Sequence, residues 1–306
     1  MVVAESLGPK GPKLSKLGFV MALPPILVIL AFIGFPIYTA LTFSLGHTGG
    51  FNEIPALIGQ DVIVKDNWWG TLEVYKLVWA QPNFVRNFIL TLVVTSVSTT
   101  IVLFLAIGIG LYQRIRGGRI AALLASLSVV PLFIPVVIAA WAIYTFYAGD
   151  GFMRSFFAQF GVEFPSISFT PTAIVVGSIW TSLPFCVLMV ASGLQAIPDA
   201  LIESARDAGA GFLRIVVSIL LPLAFISIVI AGTFTAIGII GSFTVPYFLG
   251  PNSPTMLGVE ILTYFSSYNR PQQSVVMAFF VFMSAALIAV FYVWANFKSA
   301  KSQGRV

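Results

Sequence analysis

The stretch IPDALIESARDAGAGFLRIVVSILLP, residues 197–222, sets Asp199, Glu203, Arg206 and Asp207 within nine residues, between two long segments that carry no charge. Pro198 suits a first helical turn, and Asp199 puts negative charge near the positive end of the helix dipole. Gly209 suits the stop, because the residue just past a helix end often needs a left-handed backbone. The four charges fall at i, i+4, i+7 and i+8, on one face, with Leu201, Ala205 and Ala208 on another. This spacing predicts a short amphipathic helix. After Gly209 a second helical run, Phe212 to Leu221, leads into Pro222 and an apolar segment.

Outward from this loop the chain is greasy. Of 306 residues, 58% are hydrophobic and 9% charged, against about 25% charged in a soluble domain. Runs free of Asp, Glu, Lys and Arg cover residues 17–52, 87–113, 120–149, 164–198, 215–259 and 271–297. Each exceeds the roughly 20 residues needed to cross a bilayer. The first run is too long in its apolar part, and too poor in small-residue cleavage signals, for a cleaved signal peptide. An all-α integral membrane protein with six transmembrane helices is expected, near 17–45, 87–112, 120–147, 172–196, 214–241 and 273–297.

An even number of spans places both termini on one side. That side holds Lys10, Lys13, Lys16, Arg114, Arg116, Arg119, Arg206, Arg214, Lys298, Lys301 and Arg305, and the other holds Lys65, Lys76, Arg86, Arg154 and Arg270. The positive-inside rule then predicts cytoplasmic termini and a cytoplasmic 197–222 loop. The net charge of +5 is a topology signal and argues against nucleic acid as a partner. Residues 4–16, rich in Gly, Pro and Lys, suit a cytoplasmic tail anchored at the lipid bilayer surface.

The lone cysteine, Cys186, excludes an internal disulfide. The one histidine, His47, carries no assigned role. The outer loop, about 46–86, holds Trp68, Trp69 and Trp79, suited to a membrane-interface belt or to an external partner. Pro24, Pro25, Pro36, Pro131, Pro135, Pro184 and Pro222 fall in spans, where proline kinks the backbone or locally opens it.

Apart from Arg214 at the edge of the fifth, the six predicted spans contain no Asp, Glu, Lys, Arg or His, which argues against a proton-coupled carrier, while sodium coupling through backbone carbonyls stays open. No carboxylate pair, HExxH, Ser and His arrangement or Cys and His cluster occurs in them, so no catalytic, cofactor or metal site is assigned. There is also no GxxxxGK[ST]. Active transport through this chain would have to be powered by another polypeptide, and the polar loop is where such a motor would grip. The simpler alternative is a surface-lying connecting helix.

In detail the loop, ESARDAGAGFLRIVVSILLP, resembles the signature of inner-membrane permease subunits of binding-protein-dependent ABC importers with the type I fold. Glu203, Ala205, Gly209, Ile219, Leu221 and Pro222 stand at the family's spacings. Ser204 replaces the second signature residue, and Val216 stands where an aromatic is common. NFILTLVVTSVSTTIVLFLAIGIGL and GSIWTSLPFCVLMVASGLQAIP are similar to further helices of that family.

The resemblance implies a division into a cytoplasmic tail (1–16), a first transmembrane helix with the outer loop (17–84), a permease core (85–297) and a second tail (298–306). Within the core, 197–222 would be the coupling loop, with Glu203, Ser204, Ala205, Arg206, Asp207, Gly209 and Pro222 engaging an ATP-hydrolysing subunit. The implied partners are two ATP-binding subunits carrying ATP and Mg, a second and related permease chain, and an extracytoplasmic solute-binding protein. The implied location is the bacterial inner membrane, and the chain itself would be no enzyme.

For cargo, ESARDAGA and FTVPYFLGPNSPTMLGVEILTYF are similar to the spermidine and putrescine group, whereas SGLQAIP is common in sugar permeases. Trp141, Tyr144, Trp180, Phe185, Phe234 and Phe243 offer aromatic faces along a solute path, suited to cation-π contact. A polyamine or similar small organic solute is expected, with a sugar as the alternative. Readings of another class are an ion-coupled secondary transporter or channel and a membrane assembly protein.

Overall fold

The computed structural model describes residues 16–252 and 254–302. The tail lysines Lys10 and Lys13, and Arg305, lie outside the described residues.

Among the described residues the fold is helical throughout, with no strand. The first span combines α1 (Lys16–Ile29) and α2 (Phe35–Ser44) through a π-helical turn at Leu30–Gly34. Pro36 lacks the N–H that Phe32 would require, and the wider turn absorbs the loss as Phe35 N–H bonds Leu30 O. The same device recurs at Val216–Leu220, ahead of Pro222, where Leu221 N–H bonds Val216 O.

The outer loop is more ordered than a connection of its length suggests, carrying α3 (Glu53–Ile58) and α4 (Glu73–Trp79). Trp68 is 88% exposed, whereas the ring of Trp79 packs 6.0 Å from Phe84 and 5.5 Å from Phe280. α5 (Pro82–Ile115) begins five residues ahead of the predicted start and runs unbroken for 34 residues.

The third predicted span, 120–147, is corrected to two helices. α6 (Gly118–Val129) ends in a 3-10 turn at Val130–Phe133, and α7 (Val136–Tyr147) follows. Pro131 and Pro135, four residues apart, each remove a backbone donor, and the chain leaves α-helical geometry between them. α8 (Phe152–Ala158) precedes α9 (Pro171–Gln195), then α10 (Asp199–Asp207), α11 (Phe212–Ile215) and α12 (Leu221–Leu223). α13 (Phe225–Ile240) is bent 66° from the preceding helix, so the fifth predicted span is also broken. α14 (Thr244–Leu249) and α15 (Leu257–Leu262) lead to α16 (Pro271–Ser302), which carries helix into the segment assigned to the second tail. Among the described residues, five helices are long and apolar enough to cross a membrane, six with the bent pair as one.

The centre is the pairing of α5 with α9, against which α13 packs. Lipid tails are as apolar as leucine, so close approach of small residues must hold such helices together. Gly177 on α9 lets α14 in, since a Cβ there would meet Leu249 at 2.5 Å and Val245 at 2.8 Å. One end of the bundle carries Arg114, Arg116, Arg206 and Arg214, and is called the basic end below. The far end carries the outer loop, α14 and α15.

At the far end the chain between α14 and α15 passes beside α5, and side chains of α5 bond the backbone of its 254–257 part. Thr255 N–H donates to Asn87 Oδ1 at 3.0 Å, and Leu257 N–H to Thr91 Oγ1 at 2.9 Å. Asn87 Nδ2 donates to the buried Glu260 carboxylate at 2.5 Å. A backbone group left unpaired in hydrocarbon costs several kcal/mol, so these two polar side chains specify where the segment folds in. Gln272 pins the outer loop in the same way, accepting from Ile63 N–H and donating to Phe43 O and Ile63 O.

Two outcomes follow from this packing. Gly177→Val should overpack the contact with Val245 and Leu249, costing about 1–3 kcal/mol and lowering the melting temperature of the detergent-solubilised protein. Burial raises the Glu260 pKa above 4.5, with the Asn87 hydrogen bond opposing the shift. The neutral form is therefore the stabilising one, and stability should fall as pH rises from about 4.5 through the folded-state value. Thermal unfolding of Glu260→Gln across the same range should be flatter than that of the parent.

Candidate functional site

At the basic end the 197–222 loop folds as its sequence suggests, with a change of face. Pro198 precedes α10, Asp199 stands in its first turn, and Gly209 closes it at φ +78°. Gly209 N–H bonds Arg206 O and Ala210 N–H bonds Ala205 O, the paired bonds of a left-handed helix stop. The buried contact is made by Ile202, which joins Leu194, Ile197, Ile215, Val216 and Leu220 in the core. The expected apolar face of Leu201, Ala205 and Ala208 is thus corrected: Ala205 is half-buried, and Leu201 and Ala208 are exposed. Spacing alone ranked Leu201 with Ala205, but Ile202 lies three residues from Ala205 and meets the same groove.

Glu203, Ser204, Arg206 and Asp207 are all solvent-facing. Beside them Leu201, Phe212 and Leu213 are exposed as well. A cavity of about 120 Å³, lined by Ile115, Ile202, Arg206, Ala210, Phe212 and Ile215, opens beneath α10. Pro222 stands where the chain leaves its π-helical turn for the bundle.

Arg114, noted in the sequence only for its charge, fixes the loop's origin. Its Nε donates to Leu194 O at 3.0 Å and its Nη2 to Ile197 O at 2.6 Å, carbonyls left free where α9 ends. Its Nη1 lies 2.6 Å from Asp199 Oδ1. The only sequence signal was a basic residue in the last turn of one helix, with no indication of the second helix it would meet.

The aromatic residues proposed for a solute path divide into groups. Trp141 and Tyr144 line a far-end cavity of about 400 Å³ with Phe169, Tyr247, Phe248 and Pro251. Phe243 adjoins this group, its ring 5.1 Å from that of Tyr247. Phe185 and Phe234 pair with each other at 6.2 Å. Trp180 lines a different and almost wholly apolar cavity of about 760 Å³, with Ile138, Phe146 and Leu183 among its walls. Phe169, Tyr247 and Phe248 were missed because they come from loops and short helices that meet α7 only in the folded chain.

Comparison with known proteins accords with this geometry. The model of the binding-protein-dependent transport system inner membrane component family matches residues 103–301. The trehalose/maltose transport system permease protein MalF of Thermococcus litoralis is 29% identical over 220 residues, 68% of each chain. The spermidine/putrescine transport system permease protein PotB of Escherichia coli (strain K12) is 31% identical over 113 residues, 36% of this chain and 41% of that one. In fold, a chain of a bacterial alginate ABC transporter, solved with an alginate pentasaccharide-bound periplasmic protein, superposes with a TM-score of 0.72 at 18% identity, covering 90% of this chain and 92% of that one. With the family model spanning most of its length and the signature loop in place, the chain belongs to the inner membrane component family of binding-protein-dependent transport systems, as a multi-pass ABC importer permease.

Proposed function

We propose that the chain forms part of a translocation path driven by two ATP-hydrolysing subunits, one of which docks on α10, with a second permease chain and a solute-binding protein completing the importer. The observation that carries this reading is α10 itself. It is a short helix anchored by Ile202 and tied by Arg114, yet it presents Glu203, Arg206, Asp207 and the apolar Leu201 outward. A helix that only connects two spans has no need of an exposed leucine ringed by charge; a mixed patch of this kind suits a protein partner. The positive-inside rule puts this basic end in the cytoplasm, where ATP is available, and the aromatic cavity toward the outside.

The cargo that best suits the cavity is a neutral, polyhydroxylated solute such as a di- or oligosaccharide. Support comes from its walls, in which rings of Trp141, Tyr144, Phe169, Tyr247 and Phe248 offer flat apolar faces and no carboxylate is present. The nearby carboxylate of Glu260 is buried and engaged by Asn87. A relative aligned over two thirds of both chains is a trehalose/maltose permease. A polyamine is the second reading, favoured by the same rings as cation-π partners and by the polyamine permease match over 113 residues.

Glu203→Ala and Gly209→Pro should each leave the chain in the membrane while reducing ATP-driven uptake at least tenfold. The proline cannot adopt φ +78° and would remove the N–H that bonds Arg206 O. Normal uptake in both variants, measured in proteoliposomes, would count against α10 as the docking helix. Trp141→Ala should lower uptake of a saccharide with assembly intact. Calorimetric affinities of the cognate binding protein for trehalose, maltose, spermidine and putrescine would separate the two cargo readings.

A further inference from the structure

We infer that Arg114 and the pair Asn87 and Thr91 are positioning residues at opposite ends of α5, which deliver displacement of α10 to the 250–257 segment beside the aromatic cavity. The inference rests on α10 being the docking helix.

The geometry begins at the basic end. The Arg114 guanidinium is fixed by two carbonyls at the end of α9 and reaches Asp199 in the first turn of α10. Three elements, α5, α9 and α10, therefore meet on one rigid planar group. The Arg114 side chain is 14% exposed and that of Asp199 74%. The carbonyl bonds thus set the corner, and the ion pair is its weaker and more adjustable joint. Ile202 seals the same corner, packed with Leu194 and Ile197.

From this corner α5 runs to the far end without a break. Its one proline, Pro82, stands at the first position, where the missing N–H has no helical partner to lose. Two neighbouring routes are interrupted, at Val130–Phe133 between α6 and α7 and at the 66° bend before α13; α9 is unbroken too, but it meets α14 by packing, whereas α5 bonds the backbone of Thr255 and Leu257 directly. Arg114 stands 27 positions beyond Asn87, about 40 Å at 1.5 Å per residue.

At the other end Asn87 and Thr91 do not merely touch the 250–257 segment. They supply the hydrogen-bond partners of Thr255 N–H and Leu257 N–H, and Asn87 also holds Glu260. Thr255 Oγ1 in turn donates to Gly250 O at 2.7 Å, next to Pro251 in the cavity wall. A shift of α5 along or about its axis must carry this wall with it or break those bonds. A packed element with two bonded ends transmits displacement, whereas a bent one absorbs it in the bend.

The test uses the complex with its ATP-hydrolysing subunits in lipid nanodiscs, with Tyr247→Cys as reporter in the cavity wall. The native Cys186 is fully buried. The rate of modification by a cationic methanethiosulfonate is measured with and without ATP and vanadate, together with trapped nucleotide per complex. In the parent, trapping should change the rate at least fivefold. In Arg114→Ala and in Asn87→Ala the change should shrink below twofold with trapped nucleotide unaltered, and the double variant should be no worse than either. Arg114→Lys and Asp199→Asn should retain part of the change. If Asn87→Ala fails to assemble, Thr91→Val decides the far end, because it removes the bond to Leu257 N–H and leaves the Glu260 contact. A full nucleotide effect in Arg114→Ala, additive losses in the double variant, or no effect in the parent overturns the inference. A parent that neither co-purifies with ATP-hydrolysing subunits nor traps nucleotide refutes the docking reading instead.

Discussion

Inside a bilayer a backbone N–H or C=O has no water to fall back on, and this constraint orders most of what is distinctive here. Where Pro36 and Pro222 remove donors, the helix widens into a π turn. Where α9 ends, Arg114 bonds its free carbonyls. Where the chain enters α15, Asn87 and Thr91 accept from Thr255 N–H and Leu257 N–H. Gln272 does the same for Phe43 and Ile63. Irregular backbone at these places is met by a wider turn or by a polar side chain from a nearby helix.

The same requirement leaves two places where the backbone is held by side chains. An irregular segment held by side-chain bonds has alternative arrangements within reach, unlike a regular helix whose bonds are all internal. The corner at Arg114 and the segment at 250–257 are both of this kind, and each lies beside a feature suited to a partner: the exposed face of α10 at one end, the aromatic cavity at the other. The helix joining them runs unbroken for 34 residues. Transport by alternating access needs a rigid connection between two adjustable ends, and the bonding pattern supplies one.

Much of the site was legible because it is local. Pro198, Glu203 and Gly209 lie within one stretch of chain, and helix start, charged face and left-handed stop are properties of neighbouring residues. The apolar face of α10 was less so. Leu201 and Ile202 are adjacent and equally apolar, and only the position of α9 and the 212–220 run decides that Ile202 is the one buried. The aromatic path was legible as a list of rings but not as a place. Trp141 and Tyr144 find Tyr247 and Phe248 across more than 100 residues of sequence, while Trp180 faces another cavity altogether.

Composition and charge placement alone determined that the chain is a multi-span membrane protein and that residues 197–222 form a polar interruption of special character. These follow from transfer energies and backbone preferences that act residue by residue. Tertiary structure alone decided that two predicted spans are broken, that the loop before the last helix folds into the bundle, and that Asn87, Thr91, Arg114 and Glu260 matter. A polar side chain in an apolar run gives no sign of its partner, because the partner is a backbone group or carboxylate brought near only when distant helices pack.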